Sequence, residues 1–276
     1  MNVHKIPLYY ISFQQEPDLE DNFSRVGFQN INWFPAIDGR KLDPYYLLNN
    51  KLITLRSFND LFNGRSEHSG MTSLGAVGCA MSHASLWKKC VEDKLPAIII
   101  AESDYRFNSA LENKHLQDIN KALHSPKGVF VGSSKITRNK NDHTEFMGLR
   151  FYALTQKACE ALYKHAFPIS VQADFYVAGM GSAGQIDLDG YPLPGEQLQH
   201  KSTIQTPCTR CYLPKSPWVY VGVIAGIIVL LVIAGILFWK YRKCKARPAL
   251  SPAASSGSSD RPLSPISPLS PVGPSS

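Results

Sequence analysis

A pair of carboxylates at the end of a strand is the first feature of this sequence that could do chemistry. Glu102 and Asp104 lie in the segment IIIAESDYRF, directly after the apolar run Ala97–Ala101. In extended backbone, side chains two residues apart point to the same face. The carboxyl end of a buried strand is also the edge at which α/β sheets bind ligands. Such a pair can share Mg²⁺ or Mn²⁺, which prefer oxygen ligands and bridge substrate phosphates; two solvated acids are the alternative.

His83 is the histidine whose position is most informative. It lies one position off the apolar stripe of a helix that begins at Ser73, on a strip with Cys79 and Cys90. A partly buried histidine with satisfied hydrogen bonds is the default explanation of this position, and a functional histidine is the alternative. We expect Cys79, Cys90 and Cys159 to be small buried hydrophobic residues.

Three other motifs carry weaker signals. Asp187 and Asp189 repeat the two-residue spacing, but the Gly/Pro-rich stretch that follows them favours a turn. The glycine-rich run at 178–185 is expected to be a lone turn, without the context of a phosphate-binding motif. Cys208 and Cys211 form a single CxxC, and a zinc site needs about four ligands. A local disulfide or an inert pair is therefore expected there.

Alternating strands and helices must position these side chains. The predicted strands cover residues 6–13, 31–37, 97–101, 128–132 and 151–154, and the predicted helices cover 17–26, 73–91, 108–124 and 155–165. Pro17 and an acidic first turn begin the first helix, and Thr72 or Ser73 caps the second. This alternation predicts an α/β domain with a mostly parallel sheet.

The charge distribution argues against a nucleic-acid-binding domain. The chain of 276 residues has 29 Lys and Arg and 22 Asp and Glu, but eight of the basic residues and only one acid lie beyond residue 206. Residues 1–206 are therefore neutral, and composition gives no basic face to that part. With 44% hydrophobic residues, the chain is also not of a disordered class.

The segment from Trp218 to Trp239 predicts a transmembrane helix. It has 22 residues without a charge, and at about 1.5 Å per residue it matches the roughly 30 Å hydrocarbon core. Five basic residues follow it closely, so the positive-inside rule places its C-terminal side in the cytosol. Gly222 and Gly226 form a GxxxG that suggests helix pairing. Cys244 is a palmitoylation candidate.

Four parts follow from these patterns. They are a domain over 1–206, a juxtamembrane stalk over 207–217, the transmembrane helix over 218–239, and a basic, then Pro/Ser-rich tail over 240–276. We expect the tail to be disordered, with its Ser-Pro steps either phosphorylated or unmodified. The first residues are not typical of a signal peptide. The chain is predicted to be a single-pass membrane protein, with the side of its main domain left open.

The central motifs resemble glycosyltransferase family 25, which includes lipooligosaccharide and procollagen galactosyltransferases. The run LGAVGCAMSHASLWKKCVEDKLPAIIIAESDYRF resembles the core signature of that family. The segments IPLYYISF and AIDGRKLD fit its N-terminal pattern, and GLRFYALTQKACEALYKHAFPISVQADFYVAG resembles its second block. The similarity covers roughly residues 5–206. Ser103 departs from it, because the family has an acid between the two that match Glu102 and Asp104.

This resemblance implies a GT-A-like, nucleotide-sugar-binding fold and transfer of galactose or glucose from a UDP-sugar to a glycan or hydroxylated protein. It implies Mn²⁺ or Mg²⁺ on Glu102 and Asp104, and Asp174 as the residue that accepts the acceptor's proton. The donor-binding residues that it implies are Ile11, Ser12, Asp38, Gly39 and His83.

The sequence is compatible with three hypotheses. The chain is a membrane-anchored hexosyltransferase, an inactive relative that serves as a binding module, or a membrane protein that acts through its tail. Ser103 motivates the second hypothesis. In extended backbone its side chain would point away from Glu102 and Asp104, whereas a turn at Ser103 would bring all three side chains together.

Overall fold

The structure is a computed structural model that describes residues 1–65, 67–133, 136–138, 144–146, 148–198 and 217–245. The chain divides into one unit that ends at Pro214 and a second that begins at Lys215. Cys208, Cys211 and residues from 246 onward lie outside the described part of the chain, as does the side chain of Cys244.

The first unit alternates strands and helices as the sequence predicts. Its strands are β1 (Leu8–Ser12), β2 (Ile31–Pro35), β3 (Ala97–Glu102), β4 (Tyr105–Phe107), β5 (Gly128–Val131), β6 (Thr137–Arg138), β7 (Thr144–Glu145), β8 (Phe151–Thr155), β9 (Asp187–Gly190) and β10 (Gly195–Gln197). Its α-helices are α1 (Pro17–Arg25), α2 (Pro44–Asn49), α3 (Leu55–Asn63), α4 (Leu74–Glu92), α5 (Asn113–His124), α6 (Gln156–Lys164) and α7 (Ala173–Ser182).

Six of these strands form one mixed sheet in the order β2-β1-β3-β8-β5-β9. The pairs β1–β2, β1–β3 and β5–β9 are parallel, and β8 runs antiparallel to both of its neighbours. All the other strands therefore point the same way, which confirms the mostly parallel sheet. The carboxyl ends of β1, β3 and β5 and the first residue of β8 consequently meet at one edge.

Helices cover both faces of this sheet. Ile98 and Ile100 of β3 belong to one apolar cluster, with α4, α6 and α7. Ile99 belongs to the opposite cluster, with α1 and α5. Residues Ala97–Ala101 are all fully buried, as expected for a strand covered on both sides.

Helix capping fixes where two of the predicted helices of this unit begin. The side chain of Ser73 accepts a hydrogen bond from the amide of Ala76 at the start of α4. Thr155 does the same for Ala158 at the start of α6. Both caps satisfy an amide that the helix itself leaves unpaired.

Three sequence predictions for secondary structure are wrong. The helix predicted over 108–124 begins only at Asn113, because Tyr105–Phe107 pair with β10 and Glu112 forms a capping box with His115. Asp187 and Asp189 lie in edge strand β9, where they pair with β5 rather than form a turn. The glycine-rich run lies largely in α7. A Cβ on Gly181 would come within 2.8 Å of Leu188, so glycine there permits close packing of α7 on β9.

The second unit contains helix α8 (Pro217–Lys245). Within it, the segment Ala225–Arg242 has a mean hydropathy of 1.8 and no residue buried inside the structure, so by length and composition it is apolar enough to cross a membrane.

Candidate functional site

The carboxyl edge of the sheet brings together residues that are distant in sequence. Ile11 pairs with Glu102 across β1 and β3. The amide of Glu102 donates to the carbonyl of Arg150 at 2.7 Å, and the amide of Arg150 donates to the hydroxyl of Ser133 at 3.2 Å. The ends of β1, β3 and β5 and the start of β8 are thus tied into one platform.

A cleft with a volume of about 150 Å³ opens on this platform. Three carboxylates line it, those of Glu102, Asp104 and Asp174, together with the guanidinium of Arg150. The other residues that line it are Ala76, Cys79, Gly148, Leu149, Gln172, Ala173 and Gln197. The structure therefore brings together the three acids that the sequence singled out, although 70 residues separate Asp104 from Asp174.

Asp104 reaches the cleft by a turn and not by continuation of the strand. β3 ends at Glu102, and the chain turns at Ser103 and Asp104 before β4. Asp104 Oδ2 accepts a hydrogen bond from Gln197 Nε2 at 2.7 Å, and its carbonyl accepts one from the amide of Leu198 at 2.8 Å. The expectation of an extended backbone across these residues is therefore wrong. Strand β10 holds the second acid in place.

Ser103 does not line the cleft. Its amide donates to the carbonyl of Ile11, and its own carbonyl accepts from the guanidinium of Arg106. Arg106 also forms an ion pair with Glu16 at 3.0 Å. The turn is thus tied to the segment that follows β1, and the convergence of three side chains that a turn would allow does not occur at this cleft.

A chain of hydrogen bonds holds Glu102 from inside the protein. Trp87 Nε1 donates to Tyr152 Oη at 3.0 Å, Tyr152 Oη lies 2.9 Å from His83 Nδ1, and His83 Nε2 lies 3.1 Å from Glu102 Oε1. An indole can only donate, so the tyrosine hydroxyl is free to donate to His83 Nδ1. His83 then carries its proton on Nε2 and donates it to the carboxylate. We call Trp87, Tyr152 and His83 the buried relay.

His83 itself is fully buried and does not line the cleft. The resemblance placed it among the donor-binding residues, and that role stays a prediction. In the structure both of its ring nitrogens are used by Tyr152 and Glu102, so His83 contacts the carboxylate that lines the cleft.

The two acids at the end of β3 have opposite electrostatic surroundings. Burial opposes the ionisation of Glu102, but the hydrogen bond that His83 donates and the nearby charge of Arg150 favour the carboxylate, and the pKa of this carboxyl is lowered. Burial and then the charge of Glu102 raise the pKa of Asp104. Glu102 is therefore a firmly ionised carboxylate, and Asp104 takes up a proton more readily.

Asp104 also has an oxygen without a partner. Its Oδ1 is buried and has no hydrogen-bond partner among the described residues. Beside it, Cys79 Sγ lies 3.8 Å from Glu102 Oε1, and the ligand atoms of Cys79, His83 and Glu102 all lie within 4.8 Å of one another. Burial and then the charge of Glu102 raise the pKa of the Cys79 thiol well above its usual range.

Asp174 lies in the first turn of α7. Its Oδ2 accepts from the amide of Gly148 at 3.1 Å, and its Oδ1 accepts from the amide of Phe175 at 2.9 Å. A helix N-terminus stabilises such a carboxylate. Each oxygen retains a further lone pair for a proton or a hydrogen bond.

The other residues predicted to bind the donor lie at two places. Ile11 and Ser12 end β1 beside Glu102, and the Ser12 hydroxyl donates to Glu16. Asp38 caps the short 3₁₀ helix Gly39–Lys41 and forms an ion pair with Arg40 at 2.8 Å, which lowers the pKa of its carboxyl. Gly39 packs directly against the start of α4. None of these four residues lines the cleft.

Sequence reasoning missed Arg150, Gln172 and Gln197. Arg150 directly precedes the apolar strand β8, and a charged residue at such a position is a usable signal. Gln172 precedes α7, and Gln197 lies in the three-residue strand β10, so no periodicity marks either of them.

Comparison with known proteins identifies the family of this chain. The model of glycosyltransferase family 25 (LPS biosynthesis protein) matches residues 6–166. The chain belongs to glycosyltransferase family 25. It is 28% identical to a glycosyltransferase 25 family member of Drosophila melanogaster over 144 residues. These residues cover 50% of this chain and 22% of the fly protein. It is also 23% identical to procollagen galactosyltransferase 2 of Mus musculus over 135 residues, and these residues cover 47% of this chain and 21% of the mouse protein.

The comparisons also find an inactive relative and a solved structure with a weak similarity. The inactive glycosyltransferase 25 family member 3 of Homo sapiens is 26% identical over 144 residues, which cover 50% of this chain and 23% of the human protein. Mouse xyloside xylosyltransferase 1 aligns at 9% identity with a TM-score of 0.35, over 69% of this chain and 72% of that one, a level that supports no conclusion. The chain spans about a fifth of the length of these family 25 relatives.

Proposed function

We propose that this chain is a hexosyltransferase that moves galactose or glucose from a UDP-sugar to a hydroxyl of a glycan or hydroxylated protein. The observation that carries the proposal is the cleft in which Glu102, Asp104 and Asp174 meet beside Arg150. It lies at the sheet edge where α/β proteins bind ligands, within a chain of glycosyltransferase family 25. The name of the mouse relative, a procollagen galactosyltransferase, supports galactose and a protein acceptor.

The residues of the cleft fit a divalent cation. Glu102 is ionised, and Asp104 has a buried oxygen without a partner. Mn²⁺ and Mg²⁺ favour such hard oxygen ligands, and we assign the cation to these two carboxylates. When bound, it supplies positive charge that stabilises the departing diphosphate.

The remaining roles belong to Asp174 and Arg150. In the transfer, the acceptor oxygen bonds to the anomeric carbon of the sugar, the bond from that carbon to UDP breaks, and the acceptor's proton must leave. We assign the proton to Asp174, which lines the same cleft. Arg150 supplies a second, permanent positive charge for the diphosphate oxygens.

The size of the cleft indicates how the donor extends. Its volume of about 150 Å³ is below the roughly 300–1,000 Å³ of pockets that hold a whole drug-sized ligand. We infer that the cleft takes the metal and the sugar, and that the nucleotide extends along the ends of β1 and β2. Ile11 and Ser12 lie in that direction, beyond which the guanidinium of Arg40 lies 5.3 Å from the ring centroid of Phe13. This extension would make the overall arrangement GT-A-like.

A catalytically inactive membrane-bound binding protein is the second candidate function. Ser103 replaces a family acid, and one human relative is named inactive. However, Ser103 does not line the cleft, so its substitution leaves the three acids in place. This location favours the enzyme.

UDP release from UDP-galactose and UDP-glucose in the presence of Mn²⁺ tests the proposal, with the full-length chain in detergent. We expect Glu102→Gln and Asp104→Asn to lower turnover by about 100-fold, or roughly 2.7 kcal/mol in the barrier. Asp189→Asn is the matched control, because Asp189 is an exposed acid outside the cleft. Mn²⁺-dependent UDP binding without any turnover would instead support the inactive relative.

Membrane anchoring is part of the proposal. Helix α8 has the length and hydropathy to span a bilayer, and five basic residues lie within eight positions after Trp239. We propose that it anchors the domain over residues 1–206 through the stalk over 207–217, with the tail in the cytosol. Helix pairing through Gly222 and Gly226 remains a prediction.

A further inference from the structure

Beside the oxygen ligands of the cleft lies a second group of donors with different chemistry. Cys79 and His83 are four residues apart on α4, so their side chains share one face of the helix. Both converge on Oε1 of Glu102, at 3.8 Å from Cys79 Sγ and 3.1 Å from His83 Nε2. A thiol, an imidazole and a carboxylate are the donor types that Zn²⁺ selects, whereas Mn²⁺ and Mg²⁺ prefer oxygen.

The spacing of these three atoms matches a zinc site. Zinc bonds are about 2.3 Å to sulfur and 2.0–2.2 Å to nitrogen or oxygen, and tetrahedral angles then separate neighbouring ligand atoms by about 3.3–3.6 Å. The two distances on Glu102 Oε1 bracket that range, and all three ligand atoms lie within 4.8 Å of one another. Cys79 and Glu102 line the cleft, so a metal between them would have its fourth position open to water.

We propose that Cys79, His83 and Glu102 form a Zn²⁺ site whose occupation withdraws Glu102 from the Mn²⁺ or Mg²⁺ site and inhibits the enzyme. Zinc binding is independent of the proposed transferase activity, and the inhibition rests on it. Both sites use Glu102 as a ligand, so this carboxylate cannot fully coordinate both metals at the same time.

The charges and protons of the site balance. A thiolate and a carboxylate neutralise Zn²⁺, so the buried group carries no net charge. Binding releases one proton to solvent from the Cys79 thiol. His83 remains neutral, because its proton moves from Nε2 to Nδ1, and this N–H then donates a hydrogen bond to the hydroxyl oxygen of Tyr152. Tyr152 thereby becomes the outer partner that a zinc-bound histidine requires.

Cobalt substitution tests the site without any sugar donor. Co²⁺ is titrated into the full-length chain in detergent, with Cys208→Ser and Cys211→Ser in the background because that CxxC offers two other thiols. We expect one equivalent to bind with a sulfur-to-cobalt charge-transfer band that Zn²⁺ displaces. Cys79→Ser should abolish the band and weaken zinc binding by about 100-fold in competition with a chromogenic chelator. Circular dichroism checks that this variant is folded.

Asp104→Asn separates the two metal sites. It should keep the cobalt–thiolate band and lose the rise in Tm that Mn²⁺ causes, whereas the turnover that Cys79→Ser retains should no longer be inhibited by micromolar Zn²⁺. A folded background chain without a charge-transfer band overturns the zinc site and leaves the proposed transferase untouched. A band in a chain without turnover supports zinc binding and removes the basis for inhibition. Full turnover with zinc bound overturns the inhibitory role.

Discussion

Two buried tyrosines have opposite hydrogen-bonding environments, and this difference gives a matched pair of substitutions. Tyr152 Oη joins Trp87 to His83, whereas the buried hydroxyl of Tyr105 has no partner among the described residues. We expect Tyr152→Phe to lower the free energy of unfolding by about 2–6 kcal/mol, because two buried groups lose their partner at about 1–3 kcal/mol each. Tyr105→Phe should be neutral or stabilising. Urea unfolding of both variants measures the difference, and equal losses would contradict the buried relay.

Asp104, the proposed metal ligand, should cost stability when no metal is bound. Burial and the charge of Glu102 raise the pKa of its carboxyl in the folded state. In the pH range between its ordinary and its raised pKa, the folded chain binds more protons than the unfolded chain, so stability falls as pH rises through that range. We expect Asp104→Asn to raise Tm at pH 7.5 by on the order of 2 °C without metal, and to have a smaller effect below the ordinary pKa of aspartate.

Addition of metal should reverse which of the two proteins, the parent chain or Asp104→Asn, has the higher Tm. Mn²⁺ should raise the Tm of the parent chain, because a ligand that binds only the folded state stabilises it. The Tm of Asp104→Asn should change little when Mn²⁺ is added. Thermal scans with and without Mn²⁺ at pH 7.5 make this comparison, and an equal Mn²⁺ shift in both proteins would place the metal elsewhere.

At the scale of elements, glycines determine how closely α4 approaches the loop after β2. A Cβ on Gly39 would lie 1.9 Å from the carbonyl oxygen of Leu74, and one on Gly78 would lie 2.4 Å from that of Ile37. We expect Gly39→Ala and Gly78→Ala each to cost about 2–3 kcal/mol through overpacking. Gly179→Ala is the control, because Gly179 is exposed in α7 and a Cβ there would have nothing within 4 Å. This substitution should raise the free energy of unfolding by about 0.5–1 kcal/mol. Denaturant titration of all three variants decides whether this close packing is required.

Local signals predicted the elements that have them. The apolar run of β3, the stripe of α4 and the caps at Ser73 and Thr155 correspond to observed elements. Short elements stabilised by distant partners were missed: β4 and β10 exist because they pair with each other across about 90 residues. The position of Asp104 depends on that pairing. The sequence therefore named the acids of the cleft but could not predict how the chain brings them together.

Arg150 and the buried relay show the same limit at the scale of the site. His83 was expected to be either buried or functional, and it is buried while it holds Glu102. Tyr152 lies at an apolar position of β8, where nothing in the sequence distinguishes a core tyrosine from a hydrogen-bonded one. Only the alignment of α4 with β8 in three dimensions joins these residues, so contacts between elements carried the information that periodicity lacked.

At the scale of the whole molecule, the two units should separate without loss of the fold. The buried residues of both apolar clusters lie between Val3 and Leu193, and truncation after residue 206 removes none of them. We expect the fragment 1–206 to be soluble and to unfold cooperatively. The full-length chain should sediment with membranes, resist extraction at alkaline pH and dissolve in detergent.

A matched substitution in α8 makes this last prediction specific to the membrane. Leu231 is exposed near the middle of the apolar segment Ala225–Arg242. An arginine at the centre of a membrane helix costs about 2.5–3.5 kcal/mol on insertion, so Leu231→Arg should reduce the alkali-resistant fraction, whereas Leu231→Ile should leave it unchanged. UDP release per folded molecule should be the same in both variants, because neither change touches the cleft. An insoluble or protease-sensitive 1–206 fragment would show instead that the domain depends on residues beyond this boundary.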